Sequence, residues 1–254
     1  MPVFTSPAVL LRKLDYGDFD LILTFLSLQR GKISLIAKSA KKSTKRFAGI
    51  LELFSVMEVV ASTGKGRGLP VLQEATLISP FSTIRNDINK IAYASYWCEL
   101  INNWVEKNQK QVQLFYLLRY VLNQLDKGEA AAAQISILFQ MKLLHLTGHG
   151  PNLRQCGRCR KSLEIIQPNQ VVFDIAKGAI LCDECSPGAG SRVRLSKGTL
   201  KQLIWFESGN LQKASRIRFG NQALNEALEF LETFVPYAMG VQLQSLRFLK
   251  QIRK

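Results

Sequence analysis

The sequence predicts an α+β protein of several domains: an N-terminal five-stranded barrel, then a helical domain carrying an inserted four-cysteine segment. Three observations predict it. Short apolar segments separated by turn residues fill the first eighty positions. From about residue 81 the apolar residues recur at helical spacing instead. Between 151 and 190, Pro, Gly and four cysteines interrupt that spacing. The expected divisions are therefore 1–80, the helical 81–150 together with 191–254, and the insertion 151–190. At 254 residues and 47% hydrophobic, the chain can bury a sizeable core in two or three units.

The expected strands are 8–14 (AVLLRKL), 19–28 (FDLILTFLSL), 32–37 (KISLIA), 50–61 (ILELFSVMEVVA) and 69–78 (LPVLQEATLI). DYGD at 15–18, QRGK at 29–32 and TGKGRG at 63–68 supply turns. Five short strands suit a small closed barrel, which leaves no sheet edge exposed. An SH3-like barrel or a small sandwich satisfies the same pattern, and periodicity does not choose among them.

After Ser82, the residues Ile84, Ile88, Ile91, Trp97, Ile101, Trp104 and Val105 lie along one amphipathic helix. A second helix covers 110–126 and stops before Gly128. A third covers 129–147, with Glu129 in its first turn and Gly148 as C-cap. Helix resumes at 196–208 and again at 221–239, where Leu224, Leu228, Leu231 and Val235 keep the period. Pro236 is expected to kink or end that helix. A last short segment, 241–252, carries Leu243, Leu246, Leu249 and Ile252.

Thirty-four Lys and Arg against nineteen Asp and Glu leave a net charge of +15. That favours a polyanionic partner: nucleic acid, with an anionic membrane surface as the rival. There is no run of eighteen apolar residues, so no membrane span is expected. The N-terminus lacks a cationic start and is interrupted by Pro2 and Pro7, so it does not read as a signal peptide. Together with the cysteine spacing this favours the cytoplasm.

Four of the five cysteines form C-x2-C twice: Cys156 and Cys159, then Cys182 and Cys185. Such spacing lets a tight knuckle aim two thiolates at one tetrahedral ion, and two knuckles complete a closed site for one structural Zn2+. QVVFDI and AKGAILC between them read as a small hairpin around Gly178, the layout of a zinc ribbon. Two disulfides or a redox dithiol are the rival readings. Cys98 reads as a buried small hydrophobe. His145 and His149 have ligand spacing, but Gly148 should end the helix between them.

No acid stands between Asp20 and Glu52, while Arg30, Lys32, Lys38, Lys41, Lys42, Lys45 and Arg46 supply seven cations. The segment joins the third and fourth expected strands. A loop tolerates such self-repulsion when a polyanion neutralises it on binding, as in single-stranded nucleic-acid grooves where phosphates are tracked by cations and bases stack on rings. Tyr16, Phe19 and Phe47 lie near turns, and each is read as core before it is read as a stacking platform. Lys65 and Arg67 in TGKGRG form a second cationic turn, without P-loop spacing. Five phosphate contacts on a single strand would give a slope of log K against log salt of about −3.5. The alternative for all these charges is a solvated, solubilising face.

A zinc deaminase would need H-x-E with P-C-x-x-C, and a nuclease would need clustered carboxylates. No H-x-E occurs, QCGRC lacks the proline and the acids are scattered, so no enzyme is expected. An RNA-binding or adaptor protein with a structural zinc site remains the alternative.

With these features in place, the chain resembles the RecO family of bacterial recombination mediators over essentially its whole length. The stretch from AVLLRKLDYGD through GKISLIAK to the RF before the next strand is similar to the family's N-terminal barrel, and the helical part with its C-x2-C pairs is similar to the C-terminal half. The resemblance implies an OB-fold, a helical domain, a zinc ribbon and no catalysis. It implies binding of single- and double-stranded DNA, annealing of complementary strands, contacts with SSB and RecR, and a functional link to RecA. It implies a cytoplasmic, nucleoid-associated protein without a membrane partner. Carried onto this chain, DNA contact falls to Lys38, Lys41, Lys42, Lys45 and Arg46, and zinc ligation to Cys156, Cys159, Cys182 and Cys185. A pocket for the SSB tail is implied in the helical domain, with no residue matched to it.

Overall fold

The computed structural model describes residues 3–63, 68–167, 169–187, 191–208, 211 and 218–253. The chain divides into two compact units, Met1–Lys127 with Leu243–Lys254, and Gly128–Gln242. The helices expected to form one domain are thus distributed over both.

The first unit begins with the barrel: β1 (Val3–Tyr16), β2 (Asp20–Ser27), β3 (Gly31–Ala37), β4 (Val56–Ser62) and β5 (Val71–Ser79), closed in the order β1-β2-β3-β5-β4. This is the five-stranded Greek-key order of an OB-fold, which decides between the topologies that periodicity left open. β1 serves two neighbours. Val3–Val9 pair with β4, and Ala8–Tyr16 pair with β2. A bulge between Leu10 and Arg12 inserts Leu11 and adds the twist that such a double role needs. Closure comes from one parallel pairing, Ile36 with Val71, beside a hydrogen bond from the Ile36 N–H to the Pro70 carbonyl of 2.9 Å.

Period-two alternation fills the barrel. Leu21, Leu23 and Phe25, then Ile33, Leu35 and Ala37, then Met57, Val59 and Ala61 all point inward. Emptying one such position, Phe25→Ala for example, costs about 3–5 kcal/mol. The fourth strand starts at Val56, six residues later than expected. Residues 38–55 are therefore one long connection, broken by a 3-10 turn at Ala40–Lys42, and Phe47 and Leu51 dip from it into the barrel core.

Helices α1 (Ile88–Trp104) and α2 (Val112–Lys127) follow, with α6 (Gln244–Ile252) returning at the C-terminus. The expected start of α1 at Ser82 is corrected. Residues 82–86 form a 3-10 turn, and the cap is Asp87, whose Oδ1 accepts the N–H groups of Asn89 (2.8 Å) and Lys90 (3.2 Å). Glu99 on α1 accepts the N–H groups of Gln244 (3.2 Å) and Ser245 (2.8 Å), so a side chain caps α6 where its own sequence offers none. The residues 105–109 run past the β2–β3 turn. Lys32 pairs with Lys107, the Asn108 N–H donates to the Lys32 carbonyl at 2.9 Å, and a Cβ on Gly31 (φ +66°) would lie 1.7 Å from the Gln109 carbonyl oxygen. Glycine is obligatory there.

The second unit contains α3 (Ala132–Leu146), a three-stranded sheet of β6 (Gln170–Asp174), β7 (Ala179–Leu181) and β8 (Arg192–Ser196) in the order β7-β6-β8, and the helices α4 (Lys197–Ser208) and α5 (Asn221–Met239). The β6–β7 hairpin turns at Gly178 (φ +61°), as the sequence reading expected. β8 was not expected; it extends the sheet past the insertion's anticipated end at 190. Phe173 of β6 packs edge-on against Phe230 and Phe234 of α5, at centroid distances of 4.7 and 5.2 Å. Pro236 does not end α5, which continues to Met239 and stops at Gly240 (φ +65°). Proline forgoes one intrahelical N–H bond, and the helix runs only three residues further before its cap, where the Pro236 carbonyl accepts the Val241 N–H at 3.3 Å. Among the described residues no helix is long and apolar enough to cross a membrane.

Candidate nucleic-acid interface and metal centre

The acid-free part of the β3–β4 connection, residues 38–51, is held down by acids from elsewhere. Asp20, the first residue of β2, accepts the Ser39 N–H at 2.7 Å through Oδ1. The Lys41 N–H donates to the Phe19 carbonyl at 3.0 Å, and its ammonium reaches the Gly17 carbonyl at 3.3 Å and the Asp15 carboxylate at 3.2 Å. The tip of the β1–β2 hairpin therefore seats the Ala40–Lys42 turn. Further along, Ser43 Oγ accepts the Arg46 and Phe47 N–H groups at 3.0 and 3.2 Å, and the Arg46 guanidinium donates to the Lys38 carbonyl at 2.7 Å. Lys38, Lys41, Lys42, Lys45 and Arg46 are all exposed. These five cations, carried on a folded connection rather than a slack one, stand at one end of the barrel.

The seven cations of the run do not form one surface. Arg30 and Lys32 belong to the β2–β3 turn, and Lys38 follows the far end of β3. Six residue steps at about 3.3 Å each place those ends about 20 Å apart. Arg30 lies over the Phe4 ring at 4.1 Å. Lys32 donates to the Asn102 carbonyl at 2.5 Å, and burial, with Lys107 adding to it, lowers its pKa below the ordinary lysine value. Lys65 and Arg67 lie outside the described residues. The strand ends that bracket them, Ser62 and Val71, pair with each other, and Val71 pairs with Ile36, two positions before Lys38.

The three aromatic candidates divide as well. Phe47 is core, at 4% exposure. Tyr16 and Phe19 are not core, contrary to expectation: they are 54% and 41% exposed, because the last five residues of β1 project beyond the barrel interior. The Lys42 ammonium sits 3.4 Å from the centre of the Phe19 ring.

In the second unit, the sulfurs of Cys156, Cys159, Cys182 and Cys185 all lie within 4.8 Å of one another, and all four are free thiols. A tetrahedral ion with metal–sulfur bonds of about 2.3 Å sets sulfurs about 3.8 Å apart, so the four converge closely enough to hold one metal ion. Convergence of all four favours an ion over two separate pairs. Each knuckle is closed by the backbone: the Arg160 N–H donates to the Cys156 carbonyl at 3.0 Å, and the Cys185 N–H to the Cys182 carbonyl at 3.0 Å. Gly157 brings the first knuckle against β7. Its N–H donates to the Ile180 carbonyl at 2.8 Å, and a Cβ would lie 2.6 Å from that of Ala179.

The thiols are electrostatically unequal. Burial works to raise the Cys156 pKa, but the backbone N–H groups of Cys159, Cys182 and Arg158 outweigh it and bring it to about 6. Burial, together with hydrogen bonding among the sulfurs, pushes Cys185 up to about 12, and burial raises Cys182 as well. A cation bound among the four sulfurs would favour the thiolate form of each.

The remaining candidates take structural roles. Cys98 is 2% exposed, and burial pushes its thiol pKa up. His145 stands 3.9 Å from Glu207, and His149 Nδ1 lies 2.8 Å from the Thr147 carbonyl. Sequence reasoning missed Asp15 and Asp20 as anchors. The signal was present in the DYGD turn, whose hairpin brings both acids opposite the run they precede.

Two family models match this chain: "Recombination protein O N terminal" over residues 1–81 and "Recombination protein O C terminal" over 85–247. A protein of Desulfosudis oleivorans named DNA repair protein RecO is 43% identical over 258 residues, covering 100% of this chain and 99% of its own length. A protein of Desulfatibacillum aliphaticivorans with the same name is 42% identical over 255 residues, with the same coverage. One from Anaeromyxobacter sp. (strain K) is 34% identical over 244 residues, 96% of this chain and 94% of its own.

Proposed function

The chain belongs to the RecO family of recombinational repair, and on that premise we propose that it is a non-enzymatic DNA-binding protein that anneals complementary strands. In this reading it contacts SSB and works with RecR to load RecA onto SSB-coated single-stranded DNA, in the cytoplasm and at the nucleoid. The single observation that carries it is the folded cationic connection: Lys38, Lys41, Lys42, Lys45 and Arg46 displayed together at one end of an OB barrel. Two DNA backbones repel each other, and a surface that neutralises both removes the main obstacle to pairing. No nucleotide hydrolysis is needed for that step. The proposed DNA contacts also include Lys65 and Arg67, which lie outside the described residues, whereas Arg30 and Lys32 make at most a separate contact.

The four thiolates hold one zinc ion. Closed four-sulfur coordination leaves no position for water, so the metal folds the knuckles and supplies no chemistry. The division of labour is then a DNA-binding barrel at 1–80, mainly helical segments at 81–150 and 191–254, and a metal-braced insertion at 151–190 whose sheet β8 completes.

The test is strand annealing on SSB-coated oligonucleotides, with the wild-type chain and a variant in which Lys41, Lys42, Lys45 and Arg46 are replaced by Ala. Annealing and single-strand affinity should both fall, with the circular dichroism spectrum unchanged. Wild-type annealing by the variant would overturn the assignment of the surface, and equal action on RNA would favour an RNA-binding role.

A further inference from the structure

We infer that Tyr16 and Phe19, at the tip of the β1–β2 hairpin, form a stacking subsite for unpaired nucleobases, with Lys42 as a displaceable cover over the Phe19 ring. This rests on the barrel-end reading above and adds what that reading lacks, a means of distinguishing a single strand from a duplex.

The rings are exposed rather than part of the barrel core. Both leave the barrel core to residues such as Phe25 and Phe47 and present 54% and 41% of their surface. Their position is fixed all the same. Tyr16 lies directly across the hairpin from Asp20, whose carboxylate holds the Ser39 N–H, and the Phe19 carbonyl accepts the Lys41 N–H. The hairpin tip that carries the rings and the turn that carries Lys41 and Lys42 are thus tied together by hydrogen bonds before any ligand arrives, which reduces the ordering cost of binding.

Their surroundings identify the occupant. Sugar-phosphate chains offer anions at regular intervals with flat π-faces alongside, and single-strand sites meet them with cations and aromatic rings together. Here Lys41 reaches the Gly17 and Phe19 carbonyls and Lys42 lies over the Phe19 ring, with exposed Lys38, Lys45 and Arg46 on the same connection. Lys42 already rests on the Phe19 face at 3.4 Å, and an exposed cation–π contact is weak enough to be exchanged for a phosphate. When the ammonium moves to the backbone, the ring is uncovered for the adjoining base. Duplex DNA satisfies the cations but keeps its bases stacked, so the rings gain nothing from it.

The experiment uses the full chain and fluorescence anisotropy with three probes of equal length: an oligothymidylate, an abasic chain with the same phosphates, and a duplex. Wild-type protein should bind oligothymidylate more tightly than the abasic chain by roughly five- to hundredfold, the factor that a base–ring stack carries. Tyr16→Ala and Phe19→Ala should lower that ratio toward one while leaving abasic affinity and salt dependence in place. Tyr16→Phe should restore it. Lys42→Ala should weaken abasic binding yet raise the ratio, since the ring is uncovered. An unchanged ratio in Tyr16→Ala, or an equal loss on both probes, overturns the subsite while salt-dependent binding keeps the barrel reading. Abasic binding that is indifferent to the lysine substitutions sinks the barrel reading itself.

Discussion

Replacing Asp15 by Asn should tighten single-strand binding and steepen its salt dependence. Asp15 is the carboxylate that pairs with the cationic connection, 3.2 Å from the Lys41 ammonium, with side-chain exposures of 78% and 28%. Such an exposed pair contributes only about 0.2–1 kcal/mol, so the fold survives its loss. The effect on binding is larger in character. Each phosphate contact on a single strand adds about −0.7 to the slope of log K against log salt, so Lys38, Lys42, Lys45 and Arg46 account for about −2.8, and releasing Lys41 brings the slope to about −3.5. A carboxylate about 7 Å from a phosphate costs about 0.6 kcal/mol in water, so its removal gains about threefold in affinity. The gain should shrink as salt shortens the Debye length. Anisotropy titrations of an oligothymidylate at several salt concentrations measure both quantities. If the variant shows the wild-type slope and affinity, Asp15 and Lys41 stand apart from the phosphate track and the reasoning fails.

Three further outcomes are expected. Gly31→Ala should destabilise by at least about 2 kcal/mol, since positive φ and a 1.7 Å approach to Gln109 both oppose a side chain; thermal denaturation should register a fall of about 4 °C or more. Glu226→Gln should destabilise at neutral pH and match wild type in acid. Burial works to raise the Glu226 pKa, but hydrogen bonds from Thr199, Ser196 and Gln222 hold it below the ordinary 4.5. A folded value below the unfolded one means the stabilisation is full above about pH 4.5 and is lost as pH falls through the folded value, which denaturant titrations across that range will show. Metal analysis should find about one zinc per chain, and chelation should expose the Gln170–Leu181 hairpin to hydrogen exchange; unaltered exchange would mean that the hairpin folds without the ion.

Much of this molecule was legible in one dimension because its signals are local. Alternation of Leu21, Leu23 and Phe25 against Ile22 and Thr24 marks a half-buried strand whatever surrounds it. C-x2-C spacing fixes the geometry of a knuckle by itself. β8 was legible too, since Val193 and Leu195 alternate with Arg192 and Arg194, but the adjoining helical pattern obscured it. Pro236 does not end α5 as expected, because proline forgoes only one N–H bond and the helix needs to run just three residues further to its glycine cap.

Composition and spacing alone determined that the chain has a β part, a helical part and a tetrathiol insertion, and that its charge calls for a polyanion. These follow from hydrophobic period, ligand spacing and net charge, which act over a few residues or over the whole sum. Tertiary structure alone decided which cations stand together. The length of β3 carries Arg30 and Lys32 away from Lys38, while the hairpin returns Asp15 and Asp20 to the acid-free run, and the same projection leaves Tyr16 and Phe19 in solvent. Coulomb and stacking interactions depend on distance in space, and a linear sequence records that distance only once the chain has closed on itself.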